Sequence, residues 1–151
     1  MAEATRPGEG GVTCYTSFPE LKTRKAYSGE IAAVTSETNV IFYDANHDAY
    51  ICQAWLEYSV TGTGTAATIS VGIDGATTAL VNAGSISASA AAGTVAALTL
   101  TTANNSTTGS STGFYKVPAG TPLIATATTG GANNAIVRVG VDYVLIDKGI
   151  G

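Results

Sequence analysis

The side chains able to do chemistry in this sequence are few, and several gather in one run, Asp44-Ala45-Asn46-His47-Asp48. His47 is the single histidine, so any Ser-His-Asp or Cys-His arrangement must use it, with Asp44 or Asp48 to orient the ring. No nucleophile signature accompanies it. The chain has no G-x-S-x-G, no H-E-x-x-H and no Cys/His pair at zinc spacing. The same run has the D-x-N-x-D spacing of a calcium loop, but Ala49 stands where that loop needs glycine and Trp55 where it needs a bidentate glutamate. An EF-hand is excluded, and the run reads as an Asx-rich turn carrying a surface histidine. Gly62-Thr63-Gly64-Thr65-Ala66-Ala67 matches G-x-G-x-x-A, yet the dinucleotide fingerprint must open a helix and here a strand follows. Cys14 and Cys52 are too few for a disulfide framework and are expected to be unpaired, with Cys52 a buried thiol. No catalytic residue, metal site or cofactor is expected.

The elements that must position these residues are β-strands. In residues 50–60 the even positions Tyr50, Cys52, Ala54, Leu56, Tyr58 and Val60 form one largely apolar face, while Gln53, Trp55, Glu57 and Ser59 point the other way. Ala67, Ile69, Val71 and Ile73 alternate with polar or small residues in the same manner, and Gly62-Thr63-Gly64 between the two runs predicts a β-hairpin. Shorter strands are predicted over 31–35, 40–43, 94–102, 114–117 and 122–128, and a long one over 136–146. Residues 77–81 read as strand or a short helical turn. Residues 85–92 stay ambiguous, because alanine favours helix while their neighbourhood favours strand. Residues 1–29 hold four of the seven basic side chains and the breaker series Pro7-Gly8-Glu9-Gly10-Gly11, and are expected to be an extended N-terminal arm. Residues 30–151 then form one all-β domain, an antiparallel β-sandwich with the jelly roll as first choice.

Composition narrows the partners. A chain of 151 residues buries roughly 68–70% of its unfolded surface and needs no staples. Its net charge of −4 argues against nucleic acid, since phosphate neutralisation needs clustered Lys and Arg and the only such run is Lys22-Thr23-Arg24-Lys25. No apolar run approaches a membrane span and no signal-like segment follows Met1, so synthesis in a cytoplasm is expected and a membrane partner is not. Between Ala76 and Val137 the only charged side chain is Lys116. Hydroxyls and amides supply the polarity there, and such a surface suits flat packing because no charge would be desolvated.

The segments 69–80 (ISVGIDGATTAL), 117–130 (VPAGTPLIATATTG) and 137–145 (VRVGVDYVL) resemble those of tailed-bacteriophage virion proteins, and of the capsid decoration, or cement, proteins in particular. The resemblance spans residues 30–147 and rests on pattern and phrasing. It implies a non-enzymatic jelly-roll body with an N-terminal arm, present as a homo-oligomer (trimer or dimer) on the outside of the virion capsid, where it bridges and stabilises major capsid protein subunits after synthesis in the host cytoplasm. Candidate partner-binding residues are Arg6, Lys22, Arg24 and Lys25 of the arm, together with Trp55. Trp55 is an interface anchor if its face is exposed, and a core residue if that face is covered. The rival from another class is a receptor- or glycan-binding β-sandwich of a phage tail, fibre or cell surface, using the polar loop 104–113 and nearby tyrosines.

Overall fold

A computed structural model describes residues 23–101, 115–128 and 132–147, with the side chains of Tyr115 and Asp147 left out. Every regular element among them is a strand: β1 Arg24–Tyr27, β2 Ile31–Ala32, β3 Thr38–Phe42, β4 His47–Val60, β5 Ala67–Ile73, β6 Ala76–Ile86, β7 Val95–Leu98, β8 Tyr115–Val117, β9 Leu123–Thr128 and β10 Ile136–Asp147. They form two antiparallel sheets. One runs β1-β10-β4-β7, with β2 also on β10 and β8 also on β4; the other runs β3-β9-β5-β6. β1 and β2 are successive partners of one strand edge, as are β7 and β8, so each sheet has four strand positions. The chain crosses from sheet to sheet between β2 and β3, β3 and β4, β4 and β5, β6 and β7, β8 and β9, and β9 and β10. That order is a jelly roll.

Period-two alternation explains the layers. Val137, Val139 and Val141 of β10 are wholly buried, and the intervening Arg138 and Asp142 leave on the opposite face. Ile51 and Leu56 join these valines from the first sheet, while Ile69, Val71, Leu80 and Leu123 face them from the second. Each such aliphatic contributes roughly 1.5–3 kcal/mol on burial. Exposed ion pairs contribute at most about 1 kcal/mol, so this apolar layer holds the sheets together.

Three expectations require correction. Residues 50–60 and 67–73 do not form a hairpin, because β4 lies in one sheet and β5 in the other. Each strand has a single apolar face, and in opposite sheets those faces meet across the core. The Gly62–Gly64 turn makes the crossing: Gly64 has φ +88°, and a Cβ there would overlap the Ala132 carbonyl oxygen. The hairpin is instead β5–β6, closed by Asp74-Gly75 with Gly75 at φ +83°, so residues 77–81 are strand.

The second correction concerns Cys52. Gln53 pairs with Asp142 but Ile51 pairs with Tyr143, so Cys52 is an extra, bulged residue in β4. The bulge changes which side faces the core: Ala54, Leu56 and Tyr58 face it after the bulge, as expected, but Ala49 and Ile51 face it before. Cys52 and Tyr50 are therefore only half-buried. The third correction is the end of the arm, since Arg24–Tyr27 pairs with residues 140–143 as strand β1. Residues 85–92, ambiguous in sequence, contain no helix: Ser85 and Ile86 end β6 and the remainder turns.

Candidate functional site

The outward face of the first sheet carries the charged side chains of Lys25, Glu57, Arg138 and Asp142. Register places Gly140 of β10 opposite Trp55 of β4, and the missing side chain lets the indole lie across the strand. A Cβ on Gly140 would overlap the ring. From β1, Tyr27 meets the indole edge-on with centroids 5.9 Å apart, and Lys25 Nζ lies 5.0 Å from the ring centroid. Trp55 is thereby left 9% exposed.

The charged groups of the cluster pair with one another. Lys25 Nζ donates to Asp142 Oδ1 at 2.8 Å, and this hydrogen bond raises the lysine pKa above its ordinary value. The Trp55 indole N–H donates to Glu57 Oε2 at 2.9 Å, while Arg138 Nε and Nη2 donate to Glu57 Oε1 at 3.0 and 2.8 Å. The indole bond first, and Arg138 second, hold the Glu57 carboxyl below the usual carboxylate range. The Arg138 guanidinium also stacks 4.1 Å above the Tyr27 ring. Beside the cluster, Lys25, Gln53, Trp55, Val95 and Ala97 line an open depression of about 580 Å³. With its charges matched within the chain, this face can bind or brace.

Of the candidate partner-binding residues, the structure brings Lys25 and Trp55 into contact. Trp55 takes the covered alternative, buried under β1 rather than presented to solvent. Arg24 is exposed and, by strand alternation, on the other side of β1 from Lys25. Arg6 and Lys22 lie outside the described residues, as does the 104–113 loop. Tyr27, Glu57, Arg138 and Asp142 were missed. Their signal was present, since Arg138 and Asp142 alternate with the core valines of β10 as Glu57 alternates with Leu56 and Tyr58, but pairing them requires the inter-strand register.

The 44–48 run is an Asx turn. Asp44 Oδ1 accepts from the Asn46 and His47 backbone N–H groups at 2.9 Å each, and the His47 ring nitrogen Nδ1 lies 3.0 Å away. The Asn46 amide, then the histidine ring, lowers the pKa of that carboxyl. Asp48 is buried, accepts from Ala119 N–H at 2.9 Å and lies 3.4 Å from Lys116 Nζ. Among the described residues no three His, Cys, Asp or Glu side chains gather to hold a metal. Burial pushes the Cys52 thiol pKa up, away from reactivity.

The outward face of the second sheet is of a different kind. Register aligns Thr38, Thr126 and Ser70 in one row across β3, β9 and β5, and Val40, Ile124 and Gly72 in the next. Thr128, Thr68 and Ser85 make a third row across β9, β5 and β6. None of these positions carries a charge.

No protein-family model matches the chain, and no curated protein matches it either. Among solved structures, a chain of the cyanophage Pam1 capsid asymmetric unit is similar in fold, with a TM-score of 0.54 and 17% sequence identity. The likeness covers 96% of this chain and 100% of that one.

Proposed function

We propose that this chain is a non-enzymatic structural component of a bacteriophage capsid, and that it decorates the outside of the shell, bridging major capsid protein subunits and stabilising them. The observation that carries this reading is the likeness in fold over nearly the whole of both chains to a chain of a phage capsid asymmetric unit. The resemblance of the strand segments to decoration proteins points the same way. Both surfaces of the sandwich suit it. One face has its ion pairs and rings satisfied internally, and the other offers uncharged hydroxyl rows that can meet a protein without stripping water from a charge.

Attachment in this account uses many modest contacts. Residues 1–22 and the uncharged face share them, homo-oligomers multiply them, and each copy touches more than one shell subunit. The test is co-purification with phage heads after the tails have been removed. Recovery with tail-free heads at a fixed ratio to the shell protein is expected; recovery only with tails or fibres would replace capsid decoration with a receptor-binding role.

A further inference from the structure

We propose that Asp74 is a modification site: in the folded chain it converts spontaneously to isoaspartate, through a cyclic imide formed with Gly75. The proposal goes beyond the capsid reading and does not depend on it.

The observations lie at the tip of the β5–β6 hairpin. Asp74-Gly75 is the one Asp-Gly in the chain, and no Asn-Gly occurs. Both residues are exposed, and they alone join the paired Ile73 and Ala76. No hydrogen bond of the described residues engages the Asp74 carboxyl or the Gly75 N–H. Gly75 has φ +83°, and a Cβ there would meet nothing within 4 Å, so that side of the turn stands open. Asp44, Asp48 and Asp142 differ on both counts. Asp44 accepts from two backbone N–H groups, Asp48 from the Ala119 N–H and Asp142 from the Lys25 ammonium. The residues after them, Ala45, Ala49 and Tyr143, all carry side chains that crowd the following nitrogen.

The chemistry needs only water. The Gly75 nitrogen attacks Asp74 Cγ, and its proton leaves with the carboxyl OH as water, closing a five-membered imide. The tether holds the two groups at the proximity that an intermolecular attack would lack. Water then adds to the Asp74 main-chain carbonyl carbon, and the bond from that carbon to the Gly75 nitrogen breaks. The chain now runs through Cγ, and the former main-chain carbonyl carbon is the free carboxyl. One water is lost and one gained, so the mass is unchanged.

The product places one extra backbone carbon in a two-residue turn. The Ile73–Ala76 pair is lost, whereas Val71, Leu80 and Val81 stay buried behind it. The sandwich therefore survives conversion while the exposed tip of its second sheet changes shape.

Ageing of the full chain for several weeks at about pH 6 and 37 °C, folded or unfolded in guanidinium chloride, tests this. Peptide mapping with isoaspartate-specific methylation locates the product. Isoaspartate is expected at position 74 of the folded chain, at a rate within about tenfold of the unfolded chain and above the rates at Asp44, Asp48 and Asp142. Asp74→Glu, whose imide would need a six-membered ring, should remove the signal and leave the circular dichroism spectrum unchanged. Folded protein that converts Asp74 more than about tenfold more slowly than the unfolded chain, or no faster than those other aspartates, overturns the proposal. So does a methylation signal that survives Asp74→Glu.

Discussion

At the scale of single residues, the arrangement around Trp55 depends on Gly140 having no side chain. Gly140→Ala would drive a methyl into the indole and displace it from Tyr27 and Lys25. Overpacking of this kind costs about 1–3 kcal/mol, so the melting temperature should fall by several degrees and tryptophan emission should shift to the red. An unchanged spectrum would mean that the ring does not lie on that strand. Glu57 gives the pH-dependent counterpart. Its folded pKa is lowered by the indole and Arg138, so the folded state binds that proton less readily than the unfolded chain. The stabilisation is present above the ordinary carboxylate range and is lost as pH falls through the lowered folded value. In Glu57→Gln that part of the acid-side loss should vanish from melting curves recorded between about pH 2 and 7; a variant with wild-type acid sensitivity would remove Glu57 from the account.

At the scale of elements, β1 divides residues 1–29: Arg24–Tyr27 belongs to the sandwich, and residues 1–22 are the segment proposed for attachment. Removing residues 1–22 should leave β1 in place, with tryptophan emission and melting temperature unchanged and capsid attachment weakened. Removing residues 1–27 should also uncover Trp55, red-shifting its emission and lowering stability. If both truncations behave alike, β1 contributes nothing to the sandwich. The boundary was hard to read because Arg24-Lys25-Ala26-Tyr27 alternates for only two periods, and its partner in β10 lies more than 110 positions away. Most of the remaining strands were legible, because Val137, Val139 and Val141 or Ile69 and Val71 mark a buried face by their period alone. Which strands share a sheet was not. The Gly62–Gly64 turn looks the same in sequence whether it reverses a chain or carries it across a core, whereas Asp74-Gly75 offered a stronger hairpin signal. The bulge at Cys52 was equally hidden, since one extra residue changes the facing of half a strand without altering the apolar count. Trp55 could be placed off the main apolar face from alternation, but its cover could not, because Tyr27 and Lys25 come from a distant edge strand.

At the scale of the whole molecule, the two sheets divide the work. The first turns a self-satisfied, charged and aromatic face outward, braced across β1, β10 and β4. The second turns out registered hydroxyls with a short apolar stripe. The sandwich is similar in fold, over 96% of the chain, to a chain of a capsid asymmetric unit, and the proposed decorating role rests on that likeness. Cryo-electron microscopy of purified phage particles found to contain this chain tests the proposed capsid role most directly. The account predicts a jelly-roll density on the outer surface of the shell, in contact with more than one shell subunit. Particles whose shell lacks that density, with the sandwich found instead at the tail or in fibres, would contradict it.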